Sequence, residues 1–135
     1  ENFAASDLVY GKPHVYTSPL RLRLNQWGLA GYWTVEKQVI TLNKPKGKIV
    51  YRFHARDLHL VMGPSMPGTT IGFRVLIDGK PPGDAHGVDV DEQGYGTLDQ
   101  QRMYQLIRQP QPIIDRNFEI EFFAAGVEAF SFTFG

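Results

Sequence analysis

The sequence predicts an all-β protein, an antiparallel β-sandwich of the jelly-roll type with about nine to ten strands. Most apolar runs alternate residue by residue with polar ones, which is the period of a strand. Glycine- and proline-rich turns separate these runs, and no stretch shows the period of an amphipathic helix. An immunoglobulin-like sandwich is the alternative arrangement, but the chain has no cysteine pair to support it.

The chain opens with an arm or linker, residues 1–19, for which turn signals and at most one short strand are predicted. The sandwich domain is expected over residues 20–135. The sequence starts at a glutamate, without an initiator methionine or a signal peptide, which suggests a piece of a longer protein.

Both tryptophans lie in the next passage, Trp27 and Trp33. Buried aromatic side chains contribute heavily to packing, so at least one tryptophan is expected in the core. The alternative is that Trp27, Tyr32 or Trp33 presents its flat face to a sugar ring. Residues 36–42 are then predicted to form a strand, followed by a lysine-rich turn at 43–48 that is read as solvated.

Three alternating runs fill residues 48–79 and organise the rest of the prediction. Ile49, Tyr51 and Phe53 share one face of the first run, because successive side chains of a strand point to opposite faces. The first two runs are predicted to form a hairpin, and all three to lie side by side. Their polar side chains would then share the second face and are candidate ligand-binding residues: Arg52, His54, His59, Arg74 and Asp78.

The most polar passage, residues 78–97, contains a weak calcium motif. Asp89, Asp91 and Gln93, followed by a glycine, partly resemble a calcium loop. The twelfth position is Gln100 rather than a bidentate glutamate, and valines alternating with the aspartates favour a short strand. Calcium is therefore the lesser alternative, and no cofactor is predicted.

Two further side chains complete the candidate ligand-binding set. His86 lies between glycine-rich turns, where a rigid sandwich can present it from a loop, and the four histidines show no metal-site spacing. Arg108 lies in the strand predicted over residues 104–109 and has the chemistry for forked hydrogen bonds, although exposed arginines are common. Phenylalanines alternate with polar residues in 118–122 and 130–134, which predicts two closing strands joined as a hairpin.

Composition excludes several function classes. Basic and acidic residues balance at 14 each, so the basic field of a nucleic-acid binder is missing. Without cysteine there is no disulfide, thiolate zinc site or thiol nucleophile. No apolar run approaches the roughly 20 residues that span a bilayer, so direct membrane insertion by this segment is not expected. The lack of a G-x-S-x-G element and of a metal motif argues against an enzyme.

Several long strings resemble the C-terminal module of DipZ-type thiol-disulfide interchange proteins of the thioredoxin family. They are FHARDLHLVMGP at 53–64, FRVLIDGKPPGDAHGVDVD at 73–91, QRMYQLIRQ at 101–109 and FEIEFFAAGVEAFSFTFG at 118–135, together with the opening ENFAAS. The resemblance implies a β-sandwich similar to galactose-binding and carbohydrate-binding modules. It also implies an upstream thioredoxin-like domain that carries the Cys-x-x-Cys dithiol outside this chain.

The resemblance therefore implies a non-catalytic accessory domain outside the cytoplasm, in the periplasm or cell envelope. Its expected ligand is a carbohydrate or another small polar molecule. The alternative is an interaction module that docks on the thioredoxin-like domain, on a second copy or on a redox client. A shared fold does not by itself establish sugar binding.

Overall fold

The computed structural model describes residues 3–5 and 7–135 and confirms the all-β antiparallel fold. Within these residues ten strands form, and one turn of 3₁₀ helix lies at Gly83–Ala85. No helix in this part of the chain is long and apolar enough to cross a membrane. The strands are β1 (Pro13–Tyr16), β2 (Trp27–Val35), β3 (Ile40–Leu42), β4 (Gly47–Phe53), β5 (Asp57–Pro64), β6 (Ile71–Ile77), β7 (Tyr95–Leu98), β8 (Arg102–Arg108), β9 (Arg116–Phe122) and β10 (Val127–Phe134).

The strands form two antiparallel sheets that share β2. The front sheet has the order β2-β4-β9-β6-β7, and the back sheet the order β1-β2-β3-β10-β5-β8. The first half of β2 pairs with β4, and the second half pairs with β1 and β3. One side of the sandwich is therefore closed by a continuous strand, and β1 brings part of the N-terminal arm into the back sheet.

Strand β2 passes from one sheet to the other at Gly31. This residue has a φ of 104°, in the region that favours glycine. A Cβ atom there would lie 2.9 Å from the Cα of Gly47 in β4, closer than real Cβ contacts allow. Glycine is thus required at this position for two reasons, the positive φ of its backbone and the close approach of β4.

The predicted pairing of the strands in residues 48–79 is wrong. Strands β4 and β6 lie in the front sheet, whereas β5 lies in the back sheet between β10 and β8. The predicted closing hairpin is wrong for the same reason, since β9 belongs to the front sheet and β10 to the back sheet. Alternation specifies that a run is a strand, but it does not specify which strand pairs with it.

Two alternating runs differ from regular strands. Residues 20–24 (LRLRL) form a loop in which Leu20 is fully exposed. The strand expected over 36–42 is only Ile40–Leu42, because a turn occupies its first half and is closed by a hydrogen bond from the Glu36 N–H to the Val39 carbonyl at 2.9 Å. This short turn lets β2 and β3 pair as a tight hairpin.

The core lies between the inner faces of the two sheets. The largest fully buried side chains come from both sheets and are aromatic, branched aliphatic or, in one case, methionine: Trp33, Tyr104, Phe53, Phe73, Phe118, Phe122, Leu29, Leu42, Ile49, Leu58, Leu60 and Met62. The alternating rows predicted for β4, β5, β6 and β9 supply most of them. Burial of such residues is the main source of stability in a fold of this kind.

Residues 86–91 form a strap along β8. The N–H of Gly87 donates to the Leu106 carbonyl at 2.9 Å, and the N–H of Asp89 donates to the Gln105 carbonyl at 3.1 Å. The strap therefore pairs with backbone groups at the otherwise free edge of the back sheet, which is one way to protect an edge strand.

A β-bulge interrupts β10. The register with β5 shifts between Ala129 and Ser131, so Phe130 is the additional residue. Because of this extra residue, Phe132 and Phe134 face the same side as Val127 and Ala129, opposite the inward-facing leucines of β5. The single row predicted for Phe130, Phe132 and Phe134 is therefore broken at its first member.

Candidate functional site

A cleft of about 510 Å³ opens between the two sheets where β2, β3, β4 and β10 come together. Its volume falls within the range of small-molecule sites. The cleft is lined by residues of both inner faces, of the N-terminal arm and of the β2–β3 turn: Leu8, Tyr10, Trp27, Val35, Glu36, Lys37, Gln38, Val39, Ile40, Ile49, Tyr51, Leu60, Ala129, Phe130, Ser131 and Phe132. It is the part of the sandwich that the core does not fill.

Aromatic side chains form much of the cleft wall. Trp27 and Tyr51 are directly opposite each other on β2 and β4, so both project from the inner face of the front sheet. Phe132 approaches from the back sheet, with its ring centroid 4.9 Å from that of Tyr51. Tyr10 of the arm is 57% exposed and adds a further ring. Trp27, Tyr51 and Phe132 are only half-buried, although inner-face aromatics of a closed sandwich would be covered.

The arm is fixed against this wall by contacts on both sides of Tyr10. The ring of Phe3 packs edge-on against Trp27 at 4.7 Å, and the Ala4 N–H donates to the Trp27 carbonyl at 2.8 Å. The Gly11 N–H donates to the Val35 carbonyl at 2.8 Å. The arm thus closes one side of the cleft while following β2.

Polar groups lie at the rim rather than at the floor. The β2–β3 turn presents Glu36, Lys37 and Gln38, all exposed, and the bulge of β10 adds Ser131. The floor contains the buried Ile49 and Leu60. An apolar floor with aromatic walls and a few polar groups at the rim suits a ligand that has both apolar faces and hydroxyl or charged groups.

Of the nine ligand-binding candidates, only Trp27 lies in this cleft. Trp33 is 0% exposed and cannot present a face to a ligand, which corrects its candidacy. Its indole N–H donates to the Ala30 carbonyl at 2.9 Å, and its ring packs edge-on against Phe122. A buried indole with its polar group satisfied is a core residue.

The predicted polar face does not exist as one surface. Arg52 and Arg74 project from the outer side of the front sheet, while His59 lies on β5 in the back sheet. Since the three organising strands belong to different sheets, their polar sides face opposite directions. The hypothesis of one shared site for these residues is therefore wrong.

Several of these side chains are engaged in contacts within the chain. The Arg52 guanidinium donates to Asn117 Oδ1 at 3.0 Å, and Arg74 Nε donates to the Gln93 carbonyl at 3.0 Å. His54 Nδ1 lies 2.7 Å from Asp115 Oδ1. The Asp78 carboxylate forms an ion pair with Arg116 at 2.6 Å and accepts a hydrogen bond from the Asn117 N–H at 2.8 Å. Arg108 is exposed at the end of β8, opposite Asp57 in the register and outside the cleft.

The residues of the calcium hypothesis do not converge on one point. Asp89 accepts two hydrogen bonds from Arg102, at 2.8 and 3.2 Å, and one from the Gln105 N–H at 2.7 Å. Asp91 accepts from the N–H groups of Gln93 and Tyr95 and so stabilises its own turn. Among the described residues, no group of three or more His, Cys, Asp or Glu could hold a metal ion.

His86 belongs to the strap. Its Nδ1 lies 2.8 Å from the Val90 carbonyl and 2.9 Å from the Gly87 carbonyl. These contacts fix the ring against its own loop, and the residue does not line the cleft. Its position is explained by the structure of the strap.

Sequence reasoning missed most of the cleft. Tyr51 and Phe132 were in rows predicted to face the core, and they do belong to the inner faces. Nothing in a period of two shows where the two sheets leave a gap, so their partial exposure was not predictable. Tyr10 lies in the arm. The sequence marks it as an aromatic residue in a turn-rich segment that lacks the alternation of a core strand.

The fold and the cleft define the class of protein: a β-sandwich domain without cysteine, with an aromatic cleft between its sheets and no recognised catalytic motif. The chain belongs to the thioredoxin-like C-terminal domain family, whose model matches residues 1–135. The resemblance to the C-terminal part of thioredoxin-like proteins is thereby confirmed.

Comparison with solved structures supports the fold. The chain is similar to a family two carbohydrate esterase from Cellvibrio japonicus, with a TM-score of 0.57 and 15% sequence identity. The similarity covers 78% of this chain and 29% of that chain, so this domain spans less than a third of the esterase. At this identity the likeness shows the fold alone. A search of curated proteins gave no match.

Proposed function

We propose that this chain is a non-catalytic accessory domain that binds carbohydrate in the cleft between its two sheets. The domain would serve a DipZ-type thioredoxin-like protein outside the cytoplasm, in the periplasm or cell envelope. The chain has no cysteine, so any dithiol for thiol-disulfide interchange lies on another part of that protein. The proposal includes no metal or other cofactor.

The observation that carries the proposal is the partial exposure of inner-face aromatics beside a polar rim. Trp27, Tyr51 and Phe132 offer flat apolar surfaces on rigid strands, and Glu36 and Gln38 offer hydrogen-bonding groups at the rim. A sugar has C–H faces that pack on aromatic rings and hydroxyl groups that need polar partners, so it matches both parts of the cleft. The fold shared with a carbohydrate esterase is consistent with this ligand class.

The experiment is a matched pair of tyrosine variants. A panel of gluco-, manno-, xylo- and N-acetylglucosamine-oligosaccharides is titrated against the protein by calorimetry. Tyr10→Ala removes a ring from the cleft and is expected to weaken binding about tenfold. Tyr95→Ala removes a tyrosine that is 46% exposed on β7, outside the cleft, and is expected to leave binding unchanged.

The same pair of variants can overturn the proposal. Equal losses of sugar affinity in Tyr10→Ala and Tyr95→Ala would show that the cleft is not the binding site. Absence of binding to every sugar of the panel, with the fold intact by circular dichroism, would show that carbohydrate is not the ligand.

A second candidate function is docking on a protein partner through the outer side of the front sheet. Tyr95 and Phe123, 46% and 43% exposed, lie with their ring centroids 6.3 Å apart. The Arg74 guanidinium lies over the Tyr95 ring at 4.7 Å. Exposed tyrosine, phenylalanine and arginine together are typical of the centre of protein interfaces.

The same two tyrosine variants test this candidate with the opposite expectation. Binding of the thioredoxin-like domain to the chain is measured by calorimetry. Tyr95→Ala is expected to weaken a docking interaction, and Tyr10→Ala to leave it unchanged. Absence of any association between the two domains would contradict the docking function.

A further inference from the structure

The aromatic wall does not end at the cleft. Beyond Phe132, the ring of Phe134 lies 5.4 Å from that of Tyr51 and is 41% exposed. Phe132 and Phe134 have nearly parallel rings, with an interplanar angle of 14°. A row of partly exposed rings therefore runs from Trp27 through Tyr51 to Phe134, although Phe134 is outside the cleft itself.

The position of Phe134 is fixed by regular structure. It lies on β10, opposite Leu58 of β5 in the antiparallel register. The buried ring of Phe53 stacks on it, with centroids 6.1 Å apart and an interplanar angle of 22°. The next residue is also tied down, since the Gly135 N–H donates to the Asp57 carbonyl at 3.2 Å. A ring held in this way adds surface for a ligand with little loss of side-chain entropy on binding.

We infer that the ligand is a linear oligosaccharide, with its terminal unit in the cleft beside Tyr51 and the following units leading out of the cleft over Phe134. This inference rests on the proposed function. A linear chain of sugars repeats an apolar face from unit to unit. The row likewise repeats aromatic rings, with Tyr51 tilted by 56° to Phe132 and by 53° to Phe134. Among the residues that the structure describes, the charged and amide side chains of the cleft lie at the β2–β3 turn, and the β10 bulge adds Ser131. This arrangement favours a more polar end of the ligand in the cleft and a stacked remainder outside it.

The experiment compares chain lengths in one series. Glucose, cellobiose and cellotetraose are titrated by calorimetry, with the corresponding mannose and xylose series as parallel probes. The affinity is expected to rise about tenfold or more from the monosaccharide to the tetrasaccharide, since each added stacking contact is comparable to an aromatic pair. Phe134→Ala is expected to lose most of this rise while leaving monosaccharide binding unchanged.

A second variant separates stacking from general packing. Phe134→Leu keeps an apolar side chain between Phe53 and solvent but removes the flat ring. Its affinity is expected not to rise with the length of the oligosaccharide, while its melting temperature stays close to that of the unchanged protein. Tyr95→Ala, outside the row, is the control that keeps the full dependence on length.

The outcomes distinguish this inference from the proposed function. If the tetrasaccharide binds no more tightly than the monosaccharide, or if both Phe134 variants keep the full rise, the extended site is wrong and the cleft remains a site for a single sugar. If no member of any series binds, the proposed function fails together with the inference. A rise that is lost in both Phe134 variants and retained in Tyr95→Ala supports the extended site.

Discussion

At the scale of the residue, the two tryptophans show how one side chain type acquires two roles. Both lie on β2, yet Trp33 is fully buried in the core and Trp27 is half-buried in the cleft wall. The change of sheet at Gly31, between them, accounts for the difference. A sequence can mark both residues as candidates for packing or for ligand binding, but only their position relative to this kink separates the two.

Asp89 is a second residue whose role differs from its sequence-based hypothesis. Burial by itself raises the pKa of the Asp89 carboxyl, but this effect is outweighed by the hydrogen bond from Arg102, the hydrogen bond from the Gln105 N–H and the positive charge of Arg102. Together they hold the pKa of Asp89 below its ordinary value of 3.8. The charged carboxylate therefore fastens the strap to β8.

Substitution of Asp89 is expected to give a pH-dependent loss of stability. Asp89→Asn should lower the free energy of unfolding at neutral pH by about 1–3 kcal/mol, because charge-assisted hydrogen bonds are lost. The pKa of Asp89 is lower in the folded than in the unfolded state. Its contribution is therefore fully present above 3.8 and disappears as the pH falls through the lower, folded-state pKa.

Urea unfolding of the unchanged protein and of Asp89→Asn, from neutral pH to below 3.8, measures this effect. The difference between the two proteins should narrow as the pH falls. Glu92→Gln is the matched control, since Glu92 is an exposed carboxylate of the same loop and forms no ion pair with a described residue. A difference that stays constant with pH would contradict the role assigned to the ionised Asp89.

At the scale of the element, β2 determines how the sandwich closes. Its two halves pair in different sheets, and Gly31 marks the change. The bulge at Phe130 has a comparable effect on β10, because it turns Phe132 and Phe134 toward the inner face. The residues that build the aromatic row therefore depend on one irregularity in each of two strands.

Gly31→Ala is expected to destabilise the fold. The substituted residue would need a φ of 104°, and its Cβ would meet the backbone of Gly47 at 2.9 Å. The expected loss of unfolding free energy is about 2 kcal/mol or more, from backbone strain and displacement of β4. The midpoint of urea unfolding measures it.

Gly68→Ala is the control that measures the effect of backbone strain alone. Gly68 also has a positive φ, of 85°, but a Cβ there would meet nothing within 4 Å. A smaller loss is therefore expected. Equal losses of unfolding free energy in Gly31→Ala and Gly68→Ala would show that the close approach of Gly47 contributes nothing to the cost of substituting Gly31.

At the scale of the whole molecule, the sandwich is closed by different elements on its different sides. Strand β2 joins the two sheets on one side, and the strap covers the edge of β8 on another. The cleft lies where the inner faces remain apart, and the N-terminal arm covers part of it. The arm is thus both a structural cover and a wall of the candidate site.

Removal of residues 1–11 is expected to leave the sandwich folded and to uncover Trp27. The variant should lose about 2 kcal/mol of stability, since Phe3 and Leu8 are partly buried against the core. Tryptophan fluorescence should shift to longer wavelength, because Phe3 no longer packs on Trp27 whereas Trp33 stays buried. Loss of cooperative unfolding, or an unchanged emission maximum, would contradict this account of the arm.

The prediction from sequence was most reliable where local chemistry decides. Alternation identified the inward-facing rows of β4, β5, β6 and β9, and turn residues marked most of the connections between strands. It failed for the pairing of β4 with β5 and of β9 with β10, and it placed Arg52 and His59 on a single face. The choice of a partner strand depends on contacts between distant segments, which a local period cannot contain.

The sequence by itself determined that this protein is an antiparallel β-sandwich, and its long strings carried the resemblance to its family, because the period of two is a local consequence of strand geometry. Only the tertiary structure decided that Trp27, Tyr51 and Phe132 share a cleft while Trp33 does not. The physical reason is that the exposure of an inner-face side chain depends on the distance between two sheets, and that distance is set by a kink, a bulge and an arm acting together.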